Sequence, residues 1–501
     1  CILAMRLKVM NKKVSFLLNG EPVSANNNET IWEVSKRNGK IIPHLCHSGK
    51  TGYKPDGNCR ACVVEVKGEK ALTASCIRKP IDGMEVFTNN SKVEKSQKLV
   101  LELLLTDQPK IKQKTYQEDH FWNTLNINQI TSSRFTPKNS DTVPKTDNSH
   151  PAMTVALDAC IQCGLCIRAC RDVQVNDVLG MSGRGANSYP VFDTNSSMGE
   201  SSCVGCGECV QACPTGALIQ TSLINDDNNQ TVYPDKKIKS LCPFCGVGCQ
   251  TLVSVKDNSI MAVDGYEGPA NENRLCIKGR FGYDYISSPV RLKEPLIRIT
   301  QKTKSWDLSI DEKNIYKYFR KASWEEALNQ ASHNFSKILK NNENALAGFG
   351  SAKGSNEEAY IFQKLIRTGF QTNNVDHCTR LCHASSVAAL LQSVGSAAVT
   401  APFTAVKDTE CIILIGARPE QNHPVAASYL KQAVKNGSKL IIMDPRRQNL
   451  SRYATHHLQF NPGQDLALLN AIIHTIIKEN LINKDYIKNH TEGFTLLEKE
   501  I

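Results

Sequence analysis

LCPFCGVGCQTLVSVKDNSIMAVDGYEGPANENRLCIKGR, residues 241–280, is the stretch from which the fold is read. Its cysteines, Cys242, Cys245, Cys249 and Cys276, are spaced C-x2-C-x3-C-x26-C. Three sulfurs on one short loop and a fourth from far along the chain suit an iron–sulfur cube; zinc is the alternative that four cysteines also satisfy. The chain holds 20 cysteines among 501 residues. Disulfide frameworks belong to small secreted domains. Here the cysteines sit in tight C-x2-C runs inside a long chain, so metal thiolates are the better reading.

Upstream, residues 151–235 carry a repeat. DACIQCGLCIRACRD supplies Cys160, Cys163, Cys166 and Cys170, and SSCVGCGECVQACPTGAL supplies Cys203, Cys206, Cys209 and Cys213, both spaced C-x2-C-x2-C-x3-C. Three thiolates in so short a run hold three irons of one cube, and the fourth comes from the other run. Cys213 is therefore expected to complete the first 4Fe–4S cluster and Cys170 the second. Gly164, Gly205 and Gly207 let the backbone approach the clusters closely. Such a pair relays single electrons.

Residues 13–95 begin as a β-grasp. Val14–Leu18 is β-rich, Asn19-Gly20 signals a type I′ hairpin, and Val23 starts the return strand. Thr30-x-x-Glu33 is a capping box opening a short helix, and Gly39 suits the position just past its end. Cys46, Cys59, Cys62 and Cys76 follow, spaced C-x12-C-x2-C-x13-C. Four thiolates on one loop-rich lobe suit a 2Fe–2S centre, with zinc again the alternative. Residues 96–150 hold no cysteine, and none occurs between Cys76 and Cys160. His120 stands alone in this segment, and SSRFTPKNSDTVPKTDNSHPAM reads as a polar linker.

Downstream, residues 296–501 read as α/β. Ser323-x-x-Glu326 and Ser355-x-x-Glu358 open helices, the first with Ala327, Leu328, Ala331, Phe335, Ile338 and Leu339 at helical period. A short strand is expected over Leu346–Phe349. Cys411–Ile415, a helix from about Pro424, and Lys439–Met443 form a βαβ unit of parallel strands. Loops at the carboxyl ends of such strands hold nucleotides.

Hydrophobic residues make up 41% and charged residues 22%, compatible with packed cores in about three domains. The net charge of +11 comes with only 6% aromatics and no basic stripe, which argues against nucleic-acid binding. Anionic clusters and a phosphate-bearing cofactor offset it more economically. No apolar run approaches the roughly 18 residues of a membrane span, the start is too short and basic for a signal peptide, and no twin-arginine pair occurs there. A reducing, cytoplasmic setting is the expectation.

Three resemblances sharpen this reading. The spacing of the first cysteine set resembles the amino-terminal ferredoxin domain of complex I's large iron–sulfur subunit and of NAD-linked formate dehydrogenases. LELLLTDQPK resembles the lead into a cluster held in those families by one histidine and three cysteines. Here Gln108 stands at the histidine place and the cysteines are absent, so no cluster is expected. CPFCGVGC with CIKGR resembles the amino-terminal domain of molybdenum and tungsten bis-pterin oxidoreductases, which implies a 4Fe–4S cluster beside the pterin, with Lys278 bridging the two.

TNNVDHCTRLCHASSVAALL, residues 372–391, resembles formate dehydrogenases. That resemblance makes Cys382 the ligand of molybdenum or tungsten and His383 the proton acceptor. It leaves Cys378 and Cys411 as inert structural cysteines. The loops Gly416–Pro424, Asp444–Arg447 and Asn461–Asp465 are similar to those holding a guanine dinucleotide of the pterin. Gly416, Ala417, Arg418, Glu420, His423, Asp444, Arg446, Arg447, Pro462, Gly463 and Asp465 are the candidate contacts. A soft thiolate suits a sulfur-rich metal site, and an imidazole beside it takes a proton near neutral pH.

The expected architecture is multidomain, α/β and α+β: a β-grasp 2Fe–2S ferredoxin domain (13–95), a degenerate cluster region and linker (96–150), a two-4Fe–4S ferredoxin domain (151–235), a 4Fe–4S domain of molybdopterin oxidoreductase type (236–295) and a partial molybdopterin-binding α/β domain (296–501). One 2Fe–2S cluster, three 4Fe–4S clusters and a molybdenum or tungsten bis-molybdopterin guanine dinucleotide are implied. Formate oxidation is the implied activity, with a flavin- and NAD-binding partner subunit or another electron acceptor. Families of this kind continue beyond the position of Ile501, so a fragment or an interrupted gene is expected. The alternatives are a non-catalytic electron-transfer subunit like that of complex I, and an inactive truncated product.

Overall fold

A computed structural model of the chain describes residues 13–26, 28–109, 120–137, 144–224, 232–299, 309–342 and 344–501. The first lobe is a five-stranded sheet in the order β2-β1-β5-β3-β4. Its strands are β1 (Val14–Leu18), β2 (Glu21–Ala25), β3 (Val63–Val66), β4 (Thr73–Ala74) and β5 (Glu85–Phe87). Asn19 and Gly20 both take positive φ, 51° and 84°, as the two-residue hairpin turn between β1 and β2 requires. The parallel pairing of β1 with β5 completes the β-grasp.

Helix α1 (Ile31–Arg37) opens on the Thr30–Glu33 capping box and lays Ile31, Trp32 and Val34 on the sheet. Helix α2 (Ser91–Leu105) leads away from it, capped by the Asn90 side chain.

A further helix, α3 (His120–Ile127), was not foreseen in the cysteine-free segment. Its residues Phe121 and Leu125 are fully buried and share one core with Leu45, Cys46, Tyr53, Leu101, Ile161 and Cys163. An apolar helix thus fills the space between the first lobe and the first repeat. The His120 ring lies 4.6 Å from that of His44 in the first lobe. Gln108, at the expected histidine place, donates to the Ala159 carbonyl at 2.9 Å. The linker reading also needs correction near its end. Asp147 bridges Val155, and its carboxylate accepts from the amides of Ser149 and Met198 at 2.9 and 2.7 Å. Residues 138–143 of that stretch lie outside the described residues.

The repeat folds with internal two-fold character. Each run enters a short helix, Leu165–Arg168 and Glu208–Ala212, through a left-handed glycine, Gly164 (φ 70°) and Gly207 (φ 68°). Strands Met153–Val155 and Leu218–Gln220 pair antiparallel and tie the ends together. Next comes an antiparallel sheet of Lys236–Leu241, Gln250–Lys256 and Ser259–Gly265, then the helix Ile277–Phe281.

In the last region the helix Trp324–Asn341 is capped by Ser323 as expected. The expected strand over 346–349 is Gly348–Gly350, parallel to Val375–His377. Strands Cys411–Ile415, Lys439–Met443 and His456–Leu458 form a parallel sheet covered by the helix Pro424–Lys435. That helix also joins the domains. Tyr429 is fully buried under the Arg274 guanidinium, 4.1 Å from its ring, and Gln432 and Lys431 donate to carbonyls of the first repeat. No helix among the described residues is long and apolar enough to cross a membrane.

Candidate functional site

The structure gathers the cysteines into four sets. In the first lobe the backbone N–H groups of Cys46 and Cys59 each donate to the other's sulfur at 3.4 Å. Hydrogen bonds from the Cys59 and Cys76 thiols hold the Cys46 thiol far below its usual range.

In the repeat, burial pushes up the thiols of Cys163 and Cys166, and charges of neighbouring cysteines, Cys160 and Cys213 among them, add to this. One small cavity is lined by Cys160, Cys163, Cys166 and Cys213. Cys203, Cys206 and Cys209 are likewise raised chiefly by burial, with neighbouring charges, Cys170 among them, adding to it. The last cysteine of the second run thus lines the same cavity as the first three of the first run. The fourth set unites Cys242 and Cys249 with Cys245 and Cys276.

These sets fit iron–sulfur clusters by their donor chemistry. Buried thiols resist ionisation unless a metal takes the charge. Amides of Gln162, Val178 and Gly205 point at the sulfurs of Cys160, Cys170 and Cys203 at 3.4 Å each. Gln162 and Gly205 occupy equivalent places in the two runs and both take positive φ, 56° and 64°.

Two guanidiniums absent from the sequence reading sit at the junctions between sets. Arg168, inside the first run, contacts the first lobe. Arg280, four residues after Cys276, is fully buried. It donates to the Cys206 carbonyl at 2.7 Å, Asp264 at 2.9 Å and Gln211 at 2.8 Å, and pairs with the buried Glu208 at 3.5 Å. Tyr53 of the first lobe donates to Glu208 at 2.8 Å. The only sequence signal was a charged residue inside a cluster motif, which composition alone assigns to solvent.

Cys382 ends the one-turn helix Thr379–Cys382, and His383 joins it to the helix Ala384–Val394. Both are exposed, and among the described residues no hydrogen bond links either side chain to Lys278. Cys378 and Cys411, expected as buried structural cysteines, are exposed as well. The strand and helix that carry them have outer faces that nothing in the described chain covers.

The three expected cofactor loops all follow the carboxyl ends of the adjacent parallel strands Cys411–Ile415, Lys439–Met443 and His456–Leu458. Gly416 turns at φ 56° and Gly463 at φ 85°. Lys278 reaches the first loop, donating to the Gln421 carbonyl at 3.4 Å. Both carboxylate oxygens of Glu420 in that loop are buried without a hydrogen-bond partner. Such an orphaned acceptor is the feature a bound donor would satisfy, so this loop fits a cofactor with N–H groups.

Asp444 instead uses its carboxylate on its own loop, accepting from Arg446 N at 2.8 Å and Gln448 at 3.4 Å. Arg446 and Arg447 are exposed, as are His423, Pro462 and Asp465; Ala417 and Arg418 are half-buried.

Sequence comparison matches residues 11–91 to a 2Fe-2S iron-sulfur cluster binding domain and residues 146–217 to a 4Fe-4S dicluster domain. Residues 235–288 match the molybdopterin oxidoreductase Fe4S4 domain, and residues 291–496 match molybdopterin oxidoreductase. A Bacillus subtilis protein named probable oxidoreductase YjgC is 28% identical across 97% of this chain and 51% of its own length. F420-dependent formate dehydrogenase 1 subunit alpha of Methanococcus maripaludis is 38% identical across 51% of this chain and 36% of its own. The corresponding alpha subunit of Methanocaldococcus jannaschii is 38% identical across 53% and 37%. The chain thus spans about half the length, or less, of these relatives. Its domains call for a 2Fe–2S cluster, 4Fe–4S clusters and a molybdopterin cofactor. In domain order and in sequence, the chain resembles molybdopterin oxidoreductases that carry 2Fe–2S and 4Fe–4S domains, and it is homologous to formate dehydrogenase alpha subunits.

Proposed function

We propose that the chain belongs to a formate-oxidising enzyme and carries its electrons away one at a time. Formate gives carbon dioxide, one proton and two electrons. The observation that carries this reading is one chain holding four cysteine sets in front of Cys382-His383, with a 2Fe-2S domain, a 4Fe-4S dicluster domain and a molybdopterin oxidoreductase Fe4S4 domain ahead of its molybdopterin oxidoreductase domain. A bound molybdenum or tungsten pterin centre supplies the two-electron acceptor.

In this reading Cys382 ligates the metal and His383 receives the proton at its imidazole. Lys278 places a positive charge between the Cys242–Cys276 set and the loop Gly416–Pro424. Glu420, whose buried carboxylate has no hydrogen-bond partner, would accept from the nucleotide's N–H groups, and the loops turning at Gly416 and Gly463, with Arg446 and Arg447, would hold the rest of it. Ala417, Arg418, His423, Asp444, Pro462 and Asp465 shape the same three loops.

Cys46, Cys59, Cys62 and Cys76 hold one 2Fe–2S cluster. Cys160, Cys163, Cys166 and Cys213 hold one 4Fe–4S cluster, and Cys203, Cys206, Cys209 and Cys170 hold a second. Cys242, Cys245, Cys249 and Cys276 hold the third. The acceptor is a separate subunit bearing a flavin and NAD, or another two-electron carrier.

The test is Cys382→Ala in the holoenzyme. Formate-dependent dye reduction is expected to vanish while iron content and visible absorbance stay unchanged. Retained turnover removes Cys382 from the mechanism. Iron without molybdenum or tungsten in the purified protein would instead support an electron-transfer subunit.

A further inference from the structure

The cysteine-free stretch between Cys76 and Cys160 leaves no thiolates for a cluster between the first lobe and the repeat. The structure joins the two directly. The Arg168 side chain is 5% exposed, and its Nη2 donates to the carbonyls of Cys46 at 2.6 Å and Cys163 at 2.9 Å. Nη1 donates to Lys54 O at 2.7 Å and Nε to Gly164 O at 3.3 Å. One nitrogen therefore spans a cysteine of each set. Asn58 reinforces the seam by donating to the Gln162 carbonyl at 3.0 Å.

The charge balance points the same way. A buried guanidinium wants a countercharge. The carboxylate paired with it, Asp56, lies 4.0 Å away and is 52% exposed. Iron–sulfur clusters with four thiolates are net anionic in both oxidation states. One on each side of Arg168 would supply the missing charge.

We infer that Arg168 is a positioning residue for electron transfer, pinning the Cys46 set against the Cys163 set so that one electron passes between them with no centre in between. The inference rests on the proposed 2Fe–2S and 4Fe–4S assignments. In the step, the 4Fe–4S cluster loses one electron and the 2Fe–2S cluster gains it; no proton moves. The electron enters from formate, or from dithionite in the test.

The experiment is an EPR redox titration of the anaerobically purified holoenzyme, with Arg168→Met and Arg168→Lys beside the wild type. Spin relaxation of the reduced 2Fe–2S signal reads its proximity to the neighbouring cube. In Arg168→Met, relaxation is expected to slow at least twofold, and both adjacent potentials to fall while that of the Cys242–Cys276 cluster holds. Arg168→Lys keeps the charge without the fork, so it should restore the potentials and leave relaxation slow. Wild-type relaxation and potentials in Arg168→Met, with all clusters present, would overturn the inference. If Arg168→Met fails to assemble, wild-type relaxation in Arg168→Lys overturns it. Absence of 2Fe–2S and 4Fe–4S signals from the wild type would sink the assignments themselves.

Discussion

Glu208 and Arg280 show how much a single side chain carries here. Glu208 is 2% exposed between Cys206 and Cys209, and its partners are Arg280 and Tyr53. Removing one member of a buried pair strands the other and costs about 3–5 kcal/mol. Arg280→Met is therefore expected to lower the unfolding free energy by that amount, read as a lower denaturant midpoint for bleaching of visible absorbance. Glu208→Gln in the same chain removes the stranded charge and should recover part of the loss. A double variant no better than Arg280→Met would show that Glu208 is not the group left unpaired. The cysteine runs were legible because thiolate spacing is local. Arg280 was not, because its meaning depends on Glu208, far away in sequence. The exposure of Cys378 and Cys411 was misread for a related reason: sequence gives a residue's polarity, not what covers it.

The two repeat runs use one template for different neighbours. Arg168 and Gln211 hold equivalent places, the second residue after the third cysteine. Arg168 reaches the first lobe, whereas Gln211 accepts from Arg280 and from the Gly265 amide of the following domain. The repeat and its left-handed glycines were readable from spacing; the direction each face points was not. Gly164 and Gly207 separate strain from space. A Cβ at Gly207 would lie 2.2 Å from the Arg280 side chain, whereas at Gly164 its nearest neighbour is Asp56 at 3.7 Å.

Gly164→Ala should thus cost only the left-handed penalty of about 1–2 kcal/mol. Gly207→Ala should cost more and displace Arg280, lowering recovered iron at the Cys203–Cys209 run. Equal iron and melting temperature in the two variants would refute this.

Asp147 offers a pH test at the same scale. Burial raises its carboxyl, but hydrogen bonds from the Met198 and Ser149 amides outweigh that and hold it below its usual value. A depressed carboxyl stabilises above its unfolded pKa of about 3.9, and the contribution is lost as pH falls through the lower folded value. The protection factor of the Met198 amide should fall in that acid window in the wild type and already be low at neutral pH in Asp147→Ala.

Among the described residues, apolar packing and cysteine sets coincide in every core but the one under the last parallel sheet. The β-grasp core includes Cys62 and Cys76; the seam core includes Cys46 and Cys163; the repeat core includes Cys166, Cys170 and Cys209; the next includes Cys242 and Cys249. The core under the last parallel sheet, built on Ile412, Leu430, Leu440, Ile442 and Leu450, contains none. The helical period of Trp324–Asn341 was legible, yet Leu328, Phe335 and Ile338 remain 61%, 40% and 39% exposed, because periodicity names a face without naming its cover.

Where cysteines form the core, cluster and fold are coupled, since ligation free energy is folding free energy when the bare ligand set is not stable alone. Stripping iron with a chelator under mild oxidation should therefore release amide protection across residues 14–105 and 153–281. Protection should persist in Lys439–Met443, whose central position in the last sheet and cysteine-free core do not depend on iron. Hydrogen exchange read by mass spectrometry distinguishes the outcomes. Uniform loss would mean that the last sheet is held by its dock on the repeat through Lys431 and Gln432. Uniform retention would mean that the thiols pack as ordinary apolar side chains and that the clusters contribute little to holding the fold.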